Sequence, residues 1–226
     1  MKTAWKPFFS YHLWNLFEPA IGQEQWHCPM KRGFLKARAK EPEIKPLLQQ
    51  ETVYQEIGLL AQQGVYEFHQ HGEHLSGVDG VRQVSELLKL ESREQEVRDR
   101  VTQALVNYHT KPILLGKEIL RLIKGDEGFP EPILLRAGNK ECNLFAAIDC
   151  IFVEPDGTLH ILDFKTGKAG FDRRQAYIYL LAAQYLYPNR PAVASFYNLE
   201  SQTWSKQITA TAVQLQVLEL DVFQLA

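Results

Sequence analysis

At 226 residues, 45% of them hydrophobic, the chain is long enough to bury one substantial core, as a single domain with a subsidiary lobe at most. A formal net charge of -2 and a pI near 6.4 exclude a globally basic protein, though a nucleic-acid partner can still be held by a local cationic patch. Three cysteines (Cys28, Cys142, Cys150) with no C-x-x-C pair argue against a disulfide framework, a structural zinc and an iron–sulfur cluster.

The opening "MKTAWKPFFSYHLWNLFEPAIG" is aromatic but broken by Lys6, Pro7 and His12, so it lacks the apolar run of a signal peptide. No stretch approaches the roughly 18 apolar residues of a membrane span. A soluble, cytoplasmic protein is expected. "MKRGFLKARAK" then concentrates Lys31, Arg32, Lys36, Arg38 and Lys40. It is a candidate phosphate-tracking patch, with Trp14, Phe17 and Trp26 as candidates for stacking on the bases of a single strand; most such charge runs are merely solvated, and aromatics are more often core.

"ETVYQEIGLLAQQGVYEFHQH" places Val53, Ile57, Leu60, Val65 and Phe68 at helical spacing. "HGEHLSGVDG" reads as a polar, glycine-containing loop. His69, His71 and His74 there invite a metal reading, but their spacing fits no zinc motif. "VRQVSELLKLESREQEVRDRVTQALVNYHT" is expected to be one helix, and "KPILLGKEILRLIKG" another, ending at Gly125.

From residue 129 the pattern changes to short apolar runs separated by turns. "ILLRAG", "LFAAIDCIFV" and "TLHILDFK" read as strands, "FDRRQAYIYLLAAQYLYPN" as a helix stopped by Pro188, "AVASFYNLESQTWSKQIT" as a hairpin and the tail from Ala210 as a last helix. With no convincing linker, residues 1–226 are expected to form a single domain, with 1–128 mainly helical and 129–226 carrying a sheet and helices.

The strands around "EPDGT" carry the chemistry. Pro155 and Gly157 suit a tight turn that pairs Glu154 with Thr158. Asp149 then lies across from Asp163, and Lys165 shares their face with Ile151, Ile161, Val153 and Leu159. Two carboxylates whose Cβ atoms are roughly 4.5–5.5 Å apart repel each other. A hard divalent cation such as Mg²⁺ would reconcile them and activate a water for phosphodiester hydrolysis, with Lys165 stabilising the phosphate. Two other readings stay open: an exposed Asp149–Lys165 ion pair with Asp163 solvated, or a one-residue slip that puts the aspartates on opposite faces.

Asp149 followed by Asp163-Phe164-Lys165 resembles the PD-(D/E)XK nuclease superfamily. "DFKTG" followed by "QAYIY" at 175–179 resembles its RecB-type branch, whose Gln-x-x-x-Tyr helix follows the catalytic lysine. "FSYHLWNLF" and "CPMKRGF" are similar to the way many members open. The resemblance implies a restriction-endonuclease-like α/β fold, a central mixed sheet flanked by helices with a mostly helical N-terminal half. It implies a Mg²⁺- or Mn²⁺-dependent DNA nuclease, such as an exonuclease, acting on single strands or ends in repair, recombination or defence, with helicase or other repair proteins as partners.

The resemblance also implies metal ligation by Asp149, Asp163 and the backbone carbonyl of Phe164, with Lys165 as the catalytic lysine. Gln175 and Tyr179, four apart on one helix face, would look at the site. Tyr179 alone would otherwise read as core. Glu131 matches an upstream acid, or is a strand-edge glutamate. Arg173 and Arg174 open the same helix as Gln175 and are candidate DNA contacts. Where the branch has Gly-x-x-x-His, this chain has Gly58 and Gln62, so either Gln62 binds weakly or His69 or His71 does the task. Ala146 stands where the family usually has glycine, and the cysteines of its cluster-bearing members are missing. A scaffold that binds nucleic acid and has lost activity is the competing expectation, motivated by Gln62.

Overall fold

A computed structural model describes residues 7–10, 30, 37, 41, 43, 52–125, 131–168 and 171–225. The cationic residues Lys31, Arg32, Lys36 and Arg38, and the aromatic residues Trp14, Phe17 and Trp26, lie outside the described residues.

The helical part opens with α1 (Val53–Gln70), which begins in a capping box: Thr52 accepts the Gln55 N–H while the Gln55 side chain reaches back to the Thr52 N–H. Its apolar stripe (Ile57, Leu60, Val65, Phe68) packs on α4 (Gln95–Thr110) through Val101, Leu105 and Tyr108. The two helices approach closely because Gly64 has no side chain: a Cβ there would fall 2.1 Å from Leu105 Cδ2.

Between them, two expectations fail. The presumed loop contains α2 (Gly72–Ser76). The presumed single helix over 81–110 is divided into α3 (Gly80–Leu87), a 3₁₀ turn (Leu90–Ser92) and α4. Lys89 ends α3 in the left-handed region (φ 54°), and the break lets Leu88, Leu90 and Val97 all reach the core, which one straight rod would not allow.

The strands form two mixed sheets. One has the order β1 (Phe8–Ser10), β4 (Lys140–Phe145), β3 (Ile133–Ala137), with β1 parallel and β3 antiparallel to β4. The other runs β2 (Glu118–Leu122), β5 (Cys150–Val153), β6 (Leu159–Lys165), β7 (Ala192–Asn198), β8 (Thr203–Trp204), with only β6 and β7 parallel. Helices flank the strands, so the mixed α/β architecture with a helical N-terminal region agrees with the fold inferred from sequence.

β2 replaces the helix expected over 111–125. Pro112 and the left-handed Gly116 (φ 74°) interrupt it, and the free edge of β5 takes up Glu118–Leu122 as a ladder partner. "LFAAIDCIFV" is likewise not one strand: β4 stops at Phe145, and the chain crosses through 146–149 into the other sheet as β5.

The β5–β6 hairpin has the expected register. Glu154 and Thr158 pair at 2.8 Å, Gly157 takes φ 86°, and Ile151 faces Ile161. Leu159, Ile161 and Ile151 pack towards α5 (Arg173–Leu186) and α6 (Ala212–Leu225), while Cys150, Phe152, Leu162 and Phe164 pack towards α1 and α4. At the turn end of the hairpin, His160 is stacked on Phe152 and satisfied at both ring nitrogens, by Glu154 and by the buried Ser195.

Candidate active site

Extending the β5–β6 register one residue past Cys150–Leu162 brings Asp149 opposite Asp163. Asp149 stands just before β5. Its backbone carbonyl accepts the Ile123 N–H at 2.9 Å, so the end of β2 fixes it from one side. On the other side its Oδ2 accepts the Phe164 N–H at 2.7 Å. The N–H and C=O of one strand residue point the same way, so the Phe164 carbonyl faces the gap that Asp149 fills. The amide of Gln62, one face of α1, donates to Asp149 Oδ1 at 2.9 Å.

Asp163 is held by α5. Its Oδ1 accepts from Gln175 Nε2 and lies within reach of the Tyr179 hydroxyl, each at 2.9 Å. That hydroxyl also accepts from Gln175 Nε2 and lies 2.6 Å from the carbonyl oxygen of Ala147. Gln175 Oε1 accepts from Lys165 Nζ at 2.9 Å, so one amide spans a carboxylate and an ammonium, which fixes which of its ends is which. Lys165 Nζ is 2.7 Å from Asp163 Oδ2, an ion pair by distance. Yet Oδ2 is buried and accepts no well-directed hydrogen bond.

The electrostatics follow from this burial. Asp149 is held well above the ordinary carboxylate range, first by burial and then by the neighbouring Asp163 charge; the Phe164 N–H, Lys165 and Gln62 only partly oppose the shift. The Tyr179 phenol is raised for the same two reasons, burial first and the carboxylates next. A proton on Asp149 is one way to relieve the pair. A hard cation is the other, and the donor set fits it: carboxylate oxygens, a backbone carbonyl facing the same gap, and one buried carboxylate oxygen that meets the Lys165 ammonium without a well-directed hydrogen bond.

Several supports were not legible in sequence. The Thr166-Gly167 turn after Lys165 is pinned by Glu200, which accepts the Gly167 N–H, and by Asn198, which donates to the Gly167 carbonyl at 2.9 Å. Arg100 of α4 grips Glu200 through two bonds of 2.7 and 3.1 Å, raising its own pKa and lowering that of Glu200 through the same hydrogen bond. Gly125, at φ 96°, lies against Gln62, where a Cβ would come within 2.9 Å of the side-chain amide. Each joins residues far apart in the chain and belongs to no local pattern.

The structure therefore brings Asp149, Asp163, Phe164, Lys165, Gln175, Tyr179 and Gln62 together. It does not bring His69, two turns further along α1, to this group: His69 Nε2 is 2.6 Å from the Tyr108 hydroxyl, and burial lowers its pKa. His71 lies beyond the end of α1, beside Glu67 and Glu73. Glu131 is exposed just before β3, in the other sheet. Arg173 is exposed, whereas Arg174 is only 5% exposed, with its guanidinium 2.6 Å from Asp172; a side chain so placed does not present a charge to DNA. The paired exposed ions foreseen for Asp149 and Lys165 are not found, since Lys165 is bonded to Gln175 and Asp163, and Asp149 is buried.

Compared with protein families, residues 28–225 match the model of the PD-(D/E)XK nuclease superfamily. Among curated proteins, none matches the chain.

Proposed function

The chain belongs to the PD-(D/E)XK nuclease superfamily, and from that premise we propose that it is a Mg²⁺- or Mn²⁺-dependent DNA nuclease of the RecB-type branch. Members of the superfamily are generally phosphodiesterases and typically use divalent metals. The observation that carries the reading is a pair of buried, opposed carboxylates: Asp163, with Lys165 Nζ 2.7 Å from its Oδ2, and Asp149, held above its ordinary pKa by burial and by Asp163. One ammonium beside two buried carboxylates leaves a negative charge that a divalent cation would offset.

Asp149, Asp163 and the Phe164 carbonyl would hold the ion. When bound, it supplies Lewis-acid polarisation of the phosphate and lowers the pKa of water. The remaining work falls to the side chains. Gln175 and Tyr179 orient Asp163, and Gln175 aims the Lys165 ammonium. Lys165 keeps a third of its side chain exposed, so its charge can reach a phosphate oxygen and offset the charge that grows during hydrolysis. Gln62 orients Asp149 from α1. Exposed Arg173, with Lys31, Arg32, Lys36 and Arg38, supplies phosphate contacts for single strands or ends. A role in repair, recombination or defence, in the cytoplasm and alongside a helicase or other repair protein, suits such an enzyme. No helix among the described residues is long and apolar enough to cross a membrane.

A second reading, a nucleic-acid-binding scaffold with weak or no activity, draws on Gln62, which offers Asp149 an amide N–H where a histidine ligand is expected. One assay separates the two. End-labelled single- and double-stranded DNA is incubated with the protein in Mg²⁺, Mn²⁺ or EDTA. Cleavage abolished by EDTA and reduced at least about 100-fold by Lys165→Ala supports the enzyme. Binding without cleavage in either metal rejects it in favour of the scaffold.

A further inference from the structure

We propose that the turn joining α1 to α2 is a second, separate metal site, in which His71, Glu73 and His74 hold a borderline divalent ion of the Zn²⁺ type. The proposal does not depend on the nuclease reading.

One ligand atom from each of the three residues lies within 4.8 Å of the others. The backbone explains the clustering. His71 ends α1 and precedes α2, and the His74 N–H closes back on the His71 carbonyl at 2.8 Å, so side chains three residues apart fall on one side. The two imidazoles have ring centroids 5.2 Å apart, and Glu73 Oε1 is 3.7 Å from His71 Nδ1. Ligand atoms around a tetrahedral ion with bonds of about 2.0–2.2 Å are separated by about 3.4 Å. Small side-chain rotations close the remaining gap.

The second observation concerns His74. Its Nδ1 is 2.8 Å from the side-chain oxygen of Gln83 on α3. An amide oxygen only accepts, so Nδ1 is the donor in this bond, and Nε2 is the ring nitrogen left to face an ion. Metal-ligating histidines are characteristically held in this way, with the far nitrogen donating to an oxygen that sets tautomer and orientation. The backbone of His74 is fixed as well, because Gly80 at the start of α3 packs on its carbonyl: a Cβ there would fall 1.7 Å away. The nearest carboxylates to His71 are 3.7 and 3.8 Å from its ring nitrogens, beyond hydrogen-bonding distance. Half of its side chain is exposed, open to an incoming ion.

Donor chemistry sets the class of ion. Two imidazoles and one carboxylate suit Zn²⁺ and its transition-metal neighbours, whereas Mg²⁺ prefers the all-oxygen set at Asp149 and Asp163. Bound there, Zn²⁺ joins the end of α1 to α2 directly and to α3 through Gln83.

The test titrates the full-length protein with ZnCl₂ by calorimetry, with Mg²⁺ in large excess, and follows thermal unfolding in parallel. Wild type, His71→Ala, His74→Ala, Gln83→Ala and the Asp149→Asn/Asp163→Asn double variant are compared, each checked for folding by circular dichroism. The proposal expects a Zn²⁺ equivalent that raises the melting temperature. Either histidine substitution should remove it, Gln83→Ala should weaken it about 10-fold, and the double aspartate variant should retain it. Absence of Zn²⁺ binding to wild type overturns the proposal. So does binding that survives both histidine substitutions, or that is lost only with the aspartates.

Discussion

Asp149 occupies the place of a missing ladder partner: just before β5 begins, its carboxylate takes the N–H of Phe164 at 2.7 Å. A candidate metal-ligating acid is thereby built into the hydrogen bonding of the central strand, and its ionisation is coupled to folding.

That coupling predicts the pH dependence of the metal-free protein. The folded-state pKa of Asp149 lies above its unfolded value, so the native state binds the extra proton. Its contribution is fully present below the unfolded pKa, near 4, and is lost as pH rises through the folded pKa. Urea unfolding in EDTA between pH 5 and 8 should show wild type losing stability relative to Asp149→Asn as pH rises. Saturating Mg²⁺ should reverse the trend, adding about 2.7 kcal/mol at 100 times its Kd. Parallel profiles for the two proteins, unchanged by Mg²⁺, would contradict this.

Gln62→His should strengthen the centre. The amide lies 2.9 Å from Asp149 Oδ1, so an imidazole from the same turn of α1 can reach the ion. At limiting Mn²⁺, kcat/KM should rise by about 10-fold, with little change at saturation. No gain at any Mn²⁺ concentration would mean that α1 stands too far back to contribute a ligand.

The Arg100–Glu200 pair should matter to rate as well as stability. Arg100→Ala strands a carboxylate that is only 19% exposed and holds the Gly167 N–H, at a cost of about 1–3 kcal/mol. Because Gly167 follows Lys165 so closely, kcat should fall more than KM rises. Adding Glu200→Gln should recover part of the lost stability, as a double-mutant cycle will record.

Two glycine substitutions should separate packing from positioning. Gly64→Ala drives a methyl group into Leu105 between α1 and α4 and should cost about 1–3 kcal/mol, without specific loss of activity in the protein that remains folded. Gly125→Ala strains a left-handed residue and displaces the Gln62 amide. It should therefore lower activity per folded molecule, measured at a temperature well below its melting transition.

The hairpin was readable from sequence because its information is local: Pro155, Gly157 and the alternation on either side set the register that opposes Asp149 to Asp163. α5 was readable from Pro188 and its apolar stripe, although Tyr179 is buried in the core, 4% exposed, and at the same time places its hydroxyl beside Asp163. β2 was not readable. Ile119 to Leu122 carry as much helical as strand character, and the free edge of β5 decided the matter. The division of "LFAAIDCIFV" was hidden for a similar reason, since an apolar run does not announce that its two ends belong to different sheets. Arg174 shows the limit of reading charge from sequence: only the fold reveals that Asp172 has taken it.

The phenol of Tyr179 touches Asp163 on β6 and also the carbonyl of Ala147, two residues before the other acid. One oxygen atom thus acts as a spacer gauge between the crossing segment and the strand. Through this one rigid ring the crossing segment that carries Asp149 and the strand that carries Asp163 share a common reference point, so Tyr179→Phe should loosen the spacing of the two acids.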